Sequence, residues 1–228
     1  MVACGEVHSY TDSAVTKTLH LAVDWQNRFL LPAQAGADQP PHSKVLLQNL
    51  SAAVRRFAAS SISTLWIVTG TRTECRRLKP QQVEWLSQRH DVPAEVAAMM
   101  RGWLLVKTRD SAFSQPHLLA TLRQRGIRRL LLSGFQARHC IAATAQDAAA
   151  LGFECNLLSD IIGGQDNDAT QRHRQLCDAY GQHGTIGVQR LSYLAPGIVP
   201  ARHLFRRMAE PVTAAQVLFR REQAALLA

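Results

Sequence analysis

Three reactive side chains stand where a buried element gives way to a loop or a helix. Asp24 follows the apolar run Leu21-Ala22-Val23 in LAVDWQNRF, and Lys107 follows Leu104-Leu105-Val106 in LLVKTRDSAF. Cys140 falls in the first turn of the helix expected within SGFQARHCIAATAQDA. A carboxylate or an ammonium leaving a buried strand must be desolvated unless it is paired, so Asp24 and Lys107 are natural partners. A thiol near a helix amino terminus meets unpaired N–H groups and the positive end of the helix dipole, which favour the thiolate. Lys107 would lower the thiol pKa further, as would Arg138 and His139 if they point inward. The chemistry this set could perform is nucleophilic attack by Cys140, assisted by a buried ion pair.

Residues so far apart in sequence can meet only if the fold brings them to one crevice. In an open parallel sheet that crevice lies at the carboxyl ends of the strands and the amino ends of the following helices. Apolar runs of strand length are expected at Leu19–Val23, Thr64–Val68, Trp103–Val106, Arg128–Leu132, Glu154–Leu158 and Thr185–Leu191. Between them, helical spacing runs from Ser43, read as a cap, through Ala59, near Gln81–Arg89, after Pro93, from Pro116 to Gly126, from Arg138 to Gly152, and from Asp168 to Tyr180. This alternation predicts an α/β fold with a parallel sheet covered on both faces. The polar stretch between the second and third strands reads as a lid or substrate loop. One domain is expected over residues 18–195, after a flexible segment at 1–17. Residues 196–228 read as one or two amphipathic helices that Pro211 keeps from being continuous.

At 228 residues, 46% hydrophobic and 19% charged, the chain can fill one sizeable core, which excludes a disordered protein. No apolar run approaches the roughly 20 residues of a membrane span, and the first sixteen residues lack the basic start and apolar stretch of a leader, so a cytoplasmic location is expected. The five cysteines are odd in number and lack CxxC spacing, which suggests free thiols rather than disulfides or a zinc knuckle. The formal charge of +9 could attract nucleic acid or anionic substrates, but the arginines are dispersed as pairs such as Arg55-Arg56 and Arg128-Arg129. A solvated basic surface is therefore expected, with neither a nucleic-acid nor a membrane partner.

The phrases AVDWQNRF, VKTRDSAF and SGFQARHCIAATAQDAAALGFECNLLSD resemble, in order and separation, the signature stretches of the isochorismatase-like cysteine hydrolases. The last is the most specific, joining a strand, a Gly, the Cys and TAxDA. The resemblance spans roughly Leu19 to Leu191. It implies a Rossmann-like α/β/α fold with six parallel strands in the order 3-2-1-4-5-6. It also implies a triad of Asp24, Lys107 and Cys140, a cis peptide between Phe135 and Gln136, and an oxyanion hole made by the N–H groups of Gln136 and Cys140. The implied activity is hydrolysis of a C–N bond in a small amide or ureide through a cysteine thioester. The alternatives are cleavage of an isochorismate-type vinyl ether, which needs no cysteine nucleophile, and a binding protein that retains the fold without turnover. A small-molecule substrate and a homo-oligomer are likewise implied.

The pattern departs from parts of the family. Relatives that hydrolyse nicotinamide carry a DxH metal site after the second strand, where this chain has TGTRTECRR with neither Asp nor His. No metal and no other cofactor is therefore expected. Ala137 stands where many relatives have a hydroxyl residue. Trp25, Phe29, Thr71, Arg72, Phe113 and Phe135 flank the expected site as candidate pocket residues, with Arg72 suited to a carboxylate. Gly163-Gly164 reads only as a turn, because GxGxxG spacing is absent.

Overall fold

In the computed structural model, the residues described are 17–30, 41–79, 82–164, 169–180 and 184–191. The N-terminal segment, except Lys17, and the C-terminal helical extension anticipated above lie outside them. The strands are β1 (Thr18–Val23), β2 (Ser63–Thr69), β3 (Glu74–Arg77), β4 (Trp103–Lys107), β5 (Arg129–Gly134), β6 (Glu154–Ile162) and β7 (Ile186–Gln189). The helices are α1 (Asn27–Leu30), α2 (Pro41–Ala59), α3 (Val83–His90), α4 (Ala94–Met99), α5 (Pro116–Gln124), α6 (Ala142–Ala150) and α7 (Ala169–Tyr180).

The sheet runs β3-β4-β2-β1-β5-β6-β7. This corrects the expected six-stranded, all-parallel sheet: the described residues form seven strands, and β3 pairs antiparallel with β4 at the edge. The reason β3 escapes a reading of apolar runs is its sequence, Glu-Cys-Arg-Arg, with two exposed and two half-buried side chains. Such charged, short strands are suited to a sheet edge, where they block further pairing. β6 is also longer than expected. Ser159 and Asp160 break the apolar run, yet Ser159 is buried, donating to Gln189 O at 3.1 Å and lying 2.7 Å from His173 Nδ1. Asp160 Oδ2 accepts from the Leu191 N–H.

Successive residues of the central strands point to opposite faces and fill two separate cores. Ala22, Trp66, Val68, Leu104, Val106 and Leu131 pack with Leu46, Leu50, Ala53 and Phe57 of α2 and with Leu86, Val96 and Ala97 of α3 and α4. Leu21, Val23, Ile67, Leu105, Leu130 and Leu132 pack on the other face with Leu118 and Leu122 of α5, Ala145 and Ala148 of α6, and Leu176 and Tyr180 of α7. Strands buried on both faces account for the continuous apolar runs in the sequence. Ser43 does not cap α2: the helix begins at Pro41, and the buried Ser43 hydroxyl donates to Leu30 O at 2.8 Å.

One polar cluster links three neighbouring strands. His20 Nε2 lies 2.8 Å from Ser133 Oγ, and His20 Nδ1 lies 3.1 Å from Thr64 Oγ1. Trp25 Nε1 donates to the same Ser133 oxygen at 3.3 Å. Burial lowers the His20 pKa to about 3, so the ring is neutral and can donate to one hydroxyl while accepting from the other. β2, β1 and β5 are thereby tied side by side.

Candidate active site

The strand order sets Lys107, Thr69, Asp24 and the segment leading to Cys140 in one row. Thr69, the last residue of β2, is paired in register with Lys107, the last of β4, and Val23 stands between Ile67 of β2 and Gly134 of β5. Asp24 comes next. Its N–H still bonds to Ile67 O at 2.8 Å, and its backbone then turns into the left-handed region at φ 54°, which Asp tolerates better than most residues. Gln26 fixes the end of β2: its Nε2 donates to Thr69 O (3.1 Å) and His90 O (2.6 Å), and its Oε1 accepts from the Thr69 N–H (2.9 Å).

Lys107 Nζ lies 2.8 Å from Asp24 Oδ2, with both side chains fully buried. It also donates to Thr69 Oγ1 at 2.8 Å, to Arg109 O at 3.2 Å and to Cys140 Sγ at 3.3 Å. Thr69 Oγ1 in turn donates to Asp24 Oδ1 at 3.0 Å. An ammonium has three protons, and here it has four acceptors. The one left without directed hydrogen-bond geometry is Asp24 Oδ2, which is held close by charge alone. A buried carboxylate oxygen in that condition retains a lone pair able to take a proton.

Cys140 is carried by a π-helical turn, Ala137–Ile141, which corrects the expectation that α6 itself begins near Arg138. The turn closes with Ile141 N–H on Gln136 O at 3.1 Å. Such wide turns recur at functional sites. The peptide between Phe135 and Gln136 is cis, and among the described residues the Gln136 N–H has no backbone acceptor. Two glycines make room for this segment. Gly134 has φ +120° and lies so close to the Val23 carbonyl that a Cβ would collide with it, which lets Phe135 N–H bond Val23 O at 2.9 Å. Gly163 lies under the Phe135 ring, and its carbonyl accepts from the Ala137 N–H at 2.9 Å. The pair read as a mere turn thus braces the loop that presents Cys140.

With this geometry in place, the isochorismatase domain model matches residues 18–182. The chain belongs to the isochorismatase family. An isochorismatase-like hydrolase from Alkaliphilus metalliredigens superposes with a TM-score of 0.59 at 19% identity, covering 77% of this chain and 95% of that one. The N-carbamoylsarcosine amidase from Thermoplasma acidophilum gives 0.53 at 20% identity, over 76% and 96% of the two chains. In sequence, a probable inactive nicotinamidase of Arabidopsis thaliana is 26% identical over 154 residues, 60% of this chain and 74% of that protein.

For a chain of the isochorismatase family, the protonation of the thiol is the informative departure from the sequence reading. The Cys140 pKa is pushed up to about 12, by burial first and by the adjacent Asp24 carboxylate next, and Lys107 only partly opposes this. The helix-end and lysine effects that favour a thiolate therefore lose to desolvation and to the Asp24 charge. Cys140 rests as a thiol, and it needs a base. Its second nearby carboxylate is the exposed Asp110, whose Oδ1 accepts from Sγ at 3.9 Å. Alkylation by iodoacetamide should accordingly keep rising with pH well beyond the ordinary thiol value of about 8.5; a rate that levels off near neutral pH would mean the thiolate is the resting form.

The remaining pocket candidates separate cleanly. Trp25, Phe113 and Phe135 are buried in the two cores, Trp25 and Phe135 meeting edge to face at 5.2 Å, and Phe29 is half-buried against the first core. Thr71 and Arg72 are exposed and line a cleft of about 540 Å³ that also reaches Thr69, Val106, Glu74 and His90. In that cleft Glu74 Oε1 and His90 Nε2 are 3.3 Å apart, and burial lowers the His90 pKa despite the carboxylate. Among the described residues no three His, Cys, Asp or Glu side chains gather as a metal would require. No helix among them is long and apolar enough to cross a membrane. Sequence reasoning missed Thr69, Gln26, Asp110 and Gly163. Only Thr69 carried a usable signal, because it ends its strand as Lys107 ends its own.

Proposed function

We propose that this protein hydrolyses a C–N bond of a small amide or ureide through a thioester on Cys140. The observation that carries the reading is the buried contact of Lys107 Nζ with both Asp24 Oδ2, at 2.8 Å, and Cys140 Sγ, at 3.3 Å. Asp24 Oδ2 accepts the thiol proton as sulfur attacks the carbonyl carbon. The N–H groups of Gln136 and Cys140 receive the developing oxyanion. The carbon–nitrogen bond then breaks, and Asp24 returns the proton to the departing nitrogen. Water attacks the thioester, gives a proton to Asp24, and the sulfur leaves as thiolate to be reprotonated. Lys107, in contact with both, offsets the negative charge that passes between carboxylate and sulfur.

Support comes from the coherence of these roles with the raised thiol pKa, since a proton held on sulfur is what the base is for. A screen of small amides, ureides and isochorismate with the protein and its Cys140→Ala variant tests the reaction class. Amide hydrolysis lost in the variant supports it; isochorismate cleavage retained in the variant points to vinyl ether chemistry instead. A second reading, a fold-retaining protein without turnover, is favoured by the likeness to a probable inactive nicotinamidase and predicts no hydrolysis of any of them. Within the hydrolase reading, Thr69→Val keeps shape and removes the hydroxyl that joins Lys107 to Asp24. Its kcat/KM should fall about 10- to 100-fold, the worth of one hydrogen bond to a charged group; an unchanged value would take Thr69 out of the site.

A further inference from the structure

The cleft beside the strand ends is basic in a way the hydrolytic chemistry does not require. Three guanidinium groups line it from three separate elements: Arg28 of α1, Arg72 of the connection between β2 and β3, and Arg89 near the end of α3. Arg28 is already engaged, its Nε lying 3.2 Å from Asp91 Oδ2. Arg72 and Arg89 have no ion-pair or hydrogen-bond partner among the described residues. The cleft's one carboxylate, Glu74, is turned to His90, 3.3 Å from its Nε2. Both arginines are exposed where they line the cleft, and no acidic side chain among the described residues pairs with either. Planar guanidinium forks are suited to a carboxylate.

We propose that Arg72 and Arg89 form an anion subsite that binds a carboxylate at the end of the substrate remote from the bond Cys140 attacks. The inference rests on the hydrolase reading for the word substrate, and on the cleft alone for the anion. Size and position fit. About 540 Å³ is room for a small organic molecule rather than a bare ion. The cleft reaches Thr69, whose Oγ1 is 2.8 Å from the same Lys107 Nζ that lies 3.3 Å from Cys140 Sγ. In the proposed pose a compact amide or ureide acid extends past Thr69, with its carbonyl toward the sulfur and its acid among the arginines.

Binding is measured on the full chain carrying Cys140→Ala, so that turnover plays no part, by calorimetry with N-carbamoylglycine and with its uncharged methylamide. The charged compound should bind roughly tenfold or more tightly, the worth of one charge-assisted hydrogen bond, and Arg72→Gln/Arg89→Gln should bring the two together. The preference should also shrink as salt rises in the protein with both arginines present, a check that does not depend on the double variant folding. Equal affinity for the two compounds, no binding of the charged one, or a preference untouched by the double substitution overturns the subsite. Charge-selective binding without hydrolysis of any amide would sink the hydrolase reading and leave the subsite standing; hydrolysis indifferent to charge would do the reverse.

Discussion

Cys140→Ala should lower amide hydrolysis by about 10⁴-fold or more while the chain keeps its fold, because removing a nucleophile removes the covalent path altogether. The fold survives because only a sulfur is lost, from a side chain packed among Ile141, Ala145 and Phe113 in the core under α5, α6 and α7. Cys140→Ser should fare little better, since a hydroxyl gives up its proton far less readily than a thiol. Initial rates on the best amide from the screen check this, with circular dichroism confirming the fold. Full activity in Cys140→Ala would end the thioester account whatever the other residues do.

The second large effect concerns Lys107. Replacing it by Met leaves Asp24 buried without its ammonium partner, though still hydrogen-bonded to the Thr69 hydroxyl. Breaking a buried pair from one side typically costs about 3 to 5 kcal/mol, because an uncompensated charge remains out of water. Urea unfolding of Lys107→Met should show a loss of that order, together with loss of hydrolysis. Lys107→Met/Asp24→Asn should recover much of the stability and none of the activity, since Asn accepts the left-handed backbone at position 24 but cannot carry the proton. If the double variant is as unstable as the single one, the charge is not the source of the loss and packing around the lysine stem is.

Those two residues were legible in the sequence because each is a charged residue type at the end of an apolar run, and Cys140 because SGFQARHCIAATAQDA is long enough to be specific. The central strands were legible for the related reason that a sheet covered on both faces needs unbroken apolar stretches. What was not legible is what depends on the third dimension. Thr69 is an ordinary strand residue until β2 is set between β4 and β1. Gln26 is a neutral amide whose three hydrogen bonds reach residues 43 and 64 positions away. Gly163 matters through the ring of Phe135, and β3 through charged residues that no apolar pattern marks.

The thiol itself carries the most instructive difference. Sequence position speaks for the helix terminus and the nearby lysine, both of which lower a thiol pKa. Burial and the exact placement of Asp24 are invisible there, and they outweigh those effects. The consequence concerns the resting state rather than the residues: in the proposed mechanism the reaction starts from a thiol, whose proton passes to Asp24.

The central claim is that acyl transfer passes through Cys140, and interception of the intermediate tests it most directly. With an amide the protein hydrolyses, hydroxylamine should divert the acyl group from sulfur to give a hydroxamate at the expense of the free acid, and Cys140→Ala should yield neither product. Hydrolysis that continues with no hydroxamate at any hydroxylamine concentration, and that persists in Cys140→Ala, would contradict the account.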